Sequence, residues 1–235
     1  MKVAVLATGG KDSSLALYRI LIQGYEVKCL VSMIPLREDS WMFHYPNIRL
    51  VKLFAEAAEI PLVSAETSGV KEREVEDLKS LVEKLDVEML VSGAIASKYQ
   101  KSRIEKVCKE LGLKCLTPLW GEDPMEILND LVRFGFEAVI TGVYAYGLSG
   151  EWLGRKIDDG AIKALVELNE RYGISVVGEG GEYETFVLDA PFFKKKKIKI
   201  VSAEKFWKGQ SGYMLIKEVK LEDKWAVFPQ KTRTL

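Results

Sequence analysis

Three short runs in this 235-residue chain carry residue types that could do chemistry. The first is Thr8-Gly9-Gly10-Lys11-Asp12-Ser13-Ser14. Adjacent glycines let a ligand approach the backbone closely. A helix starting behind them would aim N–H groups and roughly half a positive charge at an anion. Lys11 could reach a phosphate, Asp12 could hold Mg2+ or cap the helix, and Ser13 and Ser14 add hydroxyls. Lys11, Asp12 and Ser13 are therefore the candidate catalytic residues, with Asp12 the candidate metal ligand. The run is not a Walker A loop, because Val5 stands where that pattern requires glycine, and it is not GxGxxG. The bland alternative is a tight turn with an Asp or Ser cap.

The second run extends from Ser92 to Arg103 and reads SGAIASKYQKSR. Gly93 and Ala94 sit at its turn, and Gln100 and Arg103, three apart, are expected on one helix face. A solvated helix start is the plain alternative. The third run, Gly178-Glu179-Gly180-Gly181-Glu182-Tyr183-Glu184-Thr185, packs three glycines and three carboxylates into eight residues. Its carboxylates suit a metal or a cationic group, against an ordinary acidic hairpin loop.

The elements that must position these runs follow from apolar periodicity. Strands are expected at residues 3–6, 27–34, 61–63, 88–91 and 114–116. Helices are expected at about 12–23, 47–59, 71–85 and 99–111, with Leu15, Tyr18 and Ile22 on the inner face of the first. Gly24 and Gly112 close two of them, and Pro35 breaks the second strand. Alternation of this kind implies right-handed βαβ units in a doubly wound five-stranded parallel sheet, whose ligands bind beyond the strands' carboxyl ends. Thr8–Ser14, Met33–Pro35, Ser92–Ser97 and Thr117–Pro118 fall on that edge. After Trp120 the pattern changes to helices at 124–134 and 159–172, a strand at 138–141, and mostly strands beyond 183. A first domain at 1–120 and a smaller α+β domain at 121–235 are expected.

Composition narrows the classes. Lys+Arg and Asp+Glu are 34 each, so the formal charge is zero and no chain-wide basic field for nucleic acid exists. His44 is the single histidine, which removes zinc sites with several His ligands and any His-pair mechanism. Cys29, Cys108 and Cys115 form no CxxC pair and suit a reducing compartment. Neither a signal segment nor a membrane span is visible, so a cytoplasmic protein is expected. The lysines at 194–197 read as the wet face of a half-buried strand.

The first run resembles the PP-loop, SGGKDS, of the N-type ATP pyrophosphatases, with Thr8 in the place of the usual Ser. Those proteins share an adenine-nucleotide α-hydrolase-like fold and cleave ATP to AMP and pyrophosphate. TGGKDSS, SGAIASKYQKSR and GEGGEYET together, with SWMFH and GEWLGRKID, resemble the diphthine–ammonia ligase family. The resemblance implies amidation of diphthine, a modified histidine on translation elongation factor 2. ATP would adenylate the diphthine carboxylate, and ammonia would displace AMP. ATP and Mg2+ would be the cofactors. The factor carrying diphthine, together with ammonium, would be the partners, a homodimer would be the candidate assembly, and neither membrane nor nucleic acid is expected.

On this resemblance Thr8 through Ser14, with Gly93 and Ala94, would hold the nucleotide. Met33 and Ile34 would border the adenine, and His44 would touch ATP or substrate unless it is a plain loop residue. Ser97, Tyr99, Gln100 and Arg103 would grip phosphate or substrate. Glu179, Glu182, Tyr183 and Glu184 would meet the trimethylammonium group of diphthine, with Gly180, Gly181 and Thr185 as further substrate residues. Tyr144, Tyr146 and Trp152 would add an aromatic wall unless they are core. Three alternatives stand beside this: amidation of a small corrinoid-type carboxylate, tRNA modification on the same fold, and a nucleotide-binding sensor without turnover.

Overall fold

Buried apolar strands alternate with helices through the first half of the chain, and the doubly wound sheet expected from them is present. The computed structural model describes residues 1–36, 47–68 and 72–224. Strands β1 (Lys2–Leu6), β2 (Glu26–Pro35), β3 (Leu62–Thr67), β4 (Met89–Val91) and β5 (Lys114–Leu116) form a parallel sheet in the order β3-β2-β1-β4-β5. The order reverses between β1 and β4, which opens a crevice at their carboxyl ends.

Helices α1 (Lys11–Ile22) and α2 (Val51–Ala58) cover one face of this sheet. Leu15, Leu17 and Ile20 of α1 and Phe54 of α2 are fully buried there with Val3, Val5 and Leu30. Each such side chain contributes about 1.5–3 kcal/mol by leaving water. Helices α3 (Arg73–Val82) and α4 (Lys98–Leu111) cover the other face, burying Val75, Leu78, Ile104 and Val107 against Ala4, Val31 and Leu90. Two expectations shift. Ile22 is 60% exposed, because α1 is gripped on two sides and buries Leu17 and Ile20 instead. Residues 47–50 form a 3-10 turn ahead of α2 rather than its first α turn.

The second half adds α5 (Pro124–Arg133), α6 (Asp159–Tyr172) and an antiparallel sheet. Its strands are β6 (Glu137–Val143), β7 (Tyr183–Asp189), β8 (Lys196–Lys208) and β9 (Ser211–Asp223), in the order β7-β6-β9-β8. Ile140, Phe186, Ile198 and Met214 of this sheet join the same apolar cluster as α1 and α2. Phe54 packs edge-on to Phe193, with ring centroids 5.2 Å apart. Helices α1 and α2 are thus a layer shared by two sheets. Arg19 of α1 fixes the join: it donates to the Pro118 carbonyl at 3.2 Å and to Asp130 of α5 at 2.9 Å, and it also pairs with Glu122. The lysine run leads into β8: Lys195, just before the strand, pairs with Glu59, and Lys196, its first residue, pairs with Asp223.

Candidate functional site

The loop between β1 and α1 is shaped by two close approaches. Gly9 has φ +78°, and a Cβ there would stand 2.6 Å from the Phe186 ring. A Cβ on Gly93 would stand 2.7 Å from the backbone of Asp12 and Ser13. At Gly93, backbone therefore meets backbone across the β1/β4 crevice, which only glycine permits. Strand β7 clamps the loop from the far side. Val187 N–H donates to the Gly9 carbonyl at 2.8 Å, and the Lys11 N–H donates to Thr185 Oγ1 at 3.0 Å. Inside the loop, Gly10 N–H donates to Thr8 Oγ1 and Ser13 Oγ donates to the Gly10 carbonyl. The first turn of α1, with Thr8, Gly10, Lys11, Asp12 and Ser13, lines the cavity this creates.

Lys11 is 3% exposed, and its Nζ lies 2.9 Å from both Asp12 carboxylate oxygens. The same Nζ stands 5.3 Å from the centroid of the Tyr183 ring. Tyr183 is fully enclosed; burial pushes its phenol well up, and its hydroxyl donates to the Val176 carbonyl at 2.7 Å. That ring is thereby committed to Lys11.

The acidic run forms the opposite rim. Glu179 Oε1 accepts from Ala96 N–H at 3.0 Å and from Ser97 N–H at 2.6 Å. It thus sits as an anion on the N-terminus of α4, whose cap is Ser97. Burial raises the Glu179 carboxyl above its usual value near 4.5, the two backbone donors pull it back, and Asp12 raises it further. Glu182 Oε1 accepts from Ser175 N–H at 3.0 Å, while its Oε2 is buried without a hydrogen-bond partner.

The cavity joins thirteen of the expected residues. Besides the five from the first loop, Gly93, Ala94 and Gln100 line it, as do Glu179, Gly181, Tyr183, Glu184 and Thr185. Gly9 and Ser14 stand behind the wall: Gly9 lies against Phe186, and Ser14 is buried with its hydroxyl donating to the Gly10 carbonyl at 2.8 Å. Gly180 and Glu182 support the acidic loop from outside the cavity, and Ser97 caps α4. Met33 is fully buried in the apolar core beneath α3 and does not line the cavity, nor does Ile34, paired with Glu66 in the sheet. His44 lies outside the described residues.

Gln100 and Arg103 do not present one surface. The cavity takes Gln100 and Ile104, an i,i+4 pair, and Tyr99 and Arg103 turn toward α3. Arg103 stacks on Tyr99 at 3.6 Å, and its Nε donates to Glu72 at 3.1 Å. The expected aromatic wall does not form either. Trp152 is 6% exposed and carries Arg155 over its ring, while Tyr146 packs edge-on to Tyr172 at 5.0 Å. Tyr144 folds onto Gly142 instead of the cavity. Leu6 and Ile104 line the cavity without having been singled out, and Ser92 and Gly178, the first residues of the second and third runs, line it without having been assigned a role. Leu6 was findable, since it stands at the carboxyl end of β1 beside the crevice.

A phosphate chain fits this rim: glycine-made closeness, a helix N-terminus and a buried lysine are what an extended polyanion requires. Among the described residues no group of three or more His, Cys, Asp or Glu could hold a metal by itself. A divalent ion here would need phosphate oxygens as partners of Asp12. The described helices include none long and apolar enough to cross a membrane.

Comparison with known proteins gives the family. The diphthamide synthase N-terminal domain model matches residues 1–115, and the C-terminal domain model matches residues 123–221. The human protein named diphthine–ammonia ligase is 36% identical, covering 100% of this chain and 97% of its own length. The zebrafish protein of that name is 36% identical over 84% of this chain and 86% of its own. Among solved structures, a chain described as a predicted subunit of tRNA methyltransferase from Methanocaldococcus jannaschii is similar with a TM-score of 0.46 and 17% identity, over 81% of this chain and 97% of that one. With both domain models matched in order, and full-length similarity at this level, the chain belongs to the diphthamide synthase family.

Proposed function

We propose that this chain is an ATP-dependent diphthine–ammonia ligase that acts on elongation factor 2 through an acyl-adenylate. Supporting this is one observation above the rest: strand β7 carries the clamp on the glycine loop, and the loop that leads into it carries the acidic rim, so nucleotide and acceptor share one cleft. A carboxylate oxygen of diphthine attacks the α-phosphorus of ATP, and the bond to the pyrophosphate oxygen breaks. Ammonia then attacks the acyl carbon, AMP leaves with the bridging oxygen, and the nitrogen loses its extra proton to water or a carboxylate. Charge accumulates on the departing pyrophosphate, so positioning and electrostatics supply the catalysis.

The chain's own residues do the following. The first turn of α1 presents the Asp12 and Ser13 N–H groups to the phosphates, the turn being held in register by Thr185 on the Lys11 N–H and by Val187 on the Gly9 carbonyl. Lys11 exchanges part of its contact with Asp12 for a phosphate oxygen. Asp12, released, is the side chain that would hold Mg2+, which would supply charge neutralisation between phosphate oxygens. Gln100 reaches the cavity from α4 and is placed to touch phosphate or acyl oxygen.

The test is an incubation with ATP, Mg2+, ammonium and diphthine-bearing elongation factor. AMP, pyrophosphate and an amide-for-acid mass change in the factor are expected in equal amounts. ADP and phosphate as products would overturn the reading. Factor-independent AMP release with an added small carboxylate would move the assignment to small-molecule amidation.

A further inference from the structure

The antiparallel sheet carries one row of residues that leads out of the cleft. Gly142 of β6 stands opposite Glu184 of β7 on one side and opposite Tyr213 of β9 on the other. Tyr213 in turn stands opposite Phe206 of β8. Directly paired residues share a sheet face, so Glu184, Gly142, Tyr213 and Phe206 form a single line. Glu184 lines the cavity at one end. Phe206, 41% exposed, ends the line on the projecting β8–β9 ribbon. The Tyr213 and Phe206 rings stack at 5.0 Å with an interplanar angle of 26°.

The gap between Glu184 and Tyr213 is filled by Tyr144. A Cβ on Gly142 would lie 2.6 Å from the Tyr144 hydroxyl oxygen, so the missing side chain is what lets this phenol lie down on the strand. Tyr144 remains 43% exposed although its hydroxyl is folded inward. Burial raises that hydroxyl's pKa, and Glu184 and Tyr213 raise it further, so both neighbours are within electrostatic reach. The other sheet face is spent on packing, with Trp207 opposite Gly212 and its ring 3.5 Å from where a Gly150 Cβ would be.

We infer that Tyr144, Tyr213 and Phe206, with Glu184 at their inner end, form a shelf that seats a quaternary ammonium group of the acceptor substrate. Aromatic faces and one carboxylate are the chemistry that holds a cation unable to donate hydrogen bonds. The Tyr183 ring is unsuited to this because it already faces Lys11. The shelf starts at the cavity wall, so a ligand there keeps a neighbouring carboxylate within the cleft. Its place rests on sheet register. The choice of ligand rests on the ligase reading.

The test separates the two. Choline and its neutral isostere 3,3-dimethylbutanol are titrated into the full chain and followed by saturation-transfer NMR, which needs no turnover. Choline is expected to bind, and the neutral isostere at least about tenfold more weakly. Tyr213→Leu and Phe206→Leu keep apolar bulk without a π face and should each weaken choline by roughly tenfold, whereas Tyr213→Phe should restore it. In the amidation assay the same leucine variants should lower kcat/KM for the factor through KM, by about the same factor. Thermal melts confirm that each variant is folded. Equal binding of choline and its isostere, or unchanged choline binding in both leucine variants, would overturn the shelf and leave the ligase reading standing. Choline binding that follows the predicted pattern in a chain that makes no amide would support the shelf and overturn the ligase reading.

Discussion

The two rims of the cleft are made of different material. The rim from Thr8 to Ser14 is fixed by close approaches of backbone at glycine, Gly93 against the Asp12 and Ser13 backbone and Gly9 against the Phe186 ring. The rim from Gly178 to Thr185 is side chain against backbone: Glu179 on Ala96 and Ser97, Glu182 on Ser175, Thr185 on Lys11. A backbone rim cannot adjust without moving a strand or helix, which suits a ligand that never varies, a phosphate chain. A carboxylate rim can be retuned by one substitution or by pH, which suits the acceptor side.

That contrast can be broken most severely at Gly93. Gly93→Ala places a methyl against the Asp12 and Ser13 backbone, which cannot yield as a flexible side chain could. ATP affinity should fall at least about a hundredfold, with stability lower by roughly 1–3 kcal/mol, read by calorimetry and thermal melts. An adaptable rim would show itself by near-normal ATP binding in this variant. Next in size is Thr185→Val, which leaves the Lys11 N–H without its acceptor. The lost partner costs about 1–3 kcal/mol, so KM for ATP should rise roughly tenfold, and Thr185→Ser should recover most of it.

Glu179 tests the tunable side. Its folded-state carboxyl is raised, so the folded chain binds that proton more tightly than the unfolded chain does. The associated stability is complete below the ordinary carboxyl range near 4.5 and is lost as pH rises through the raised value. Glu179→Gln removes this titration while keeping an acceptor for Ala96 and Ser97 N–H. The wild type should therefore lose ground to the variant as pH rises from about 4 toward neutrality, seen as a converging or crossing pair of melting curves. Parallel curves would remove Glu179 from the account. The smallest effect is expected at Arg103, which pairs with Glu72 away from the cavity. Arg103→Ala should change KM for ATP by less than about threefold in steady-state assays.

Much of the first rim was legible because its cause is local. A strand, two glycines, Lys-Asp and a helix start lie within a dozen residues, and their order alone implies an anion site. The parallel sheet was legible for a related reason, since each βαβ unit is patterned within its own segment. What tightens the site was not legible. Thr185 meets Lys11 across 174 residues of sequence, and Val187 meets Gly9 across a similar span. Helical spacing also misled at Arg103: both the i,i+3 and the i,i+4 neighbours of a residue look equivalent in one dimension. Only the packing of α4 on α3 decided that Gln100 goes with Ile104. Met33 shows the limit of the strand-edge rule, since a residue at the carboxyl end can point into the apolar layer beneath α3. Tyr213 and Phe206 carried no motif, and their place became visible only once the register of four strands was known.

The central claim is that a carboxylate of the acceptor attacks the α-phosphorus of ATP in this cleft. Elongation factor carrying diphthine labelled with oxygen-18 in its carboxylate, incubated with ATP, Mg2+, ammonium and this chain, tests it directly by mass spectrometry of the nucleotide products. The account predicts one labelled oxygen in each AMP formed and none in pyrophosphate. Label in inorganic phosphate, or AMP without label, would contradict it.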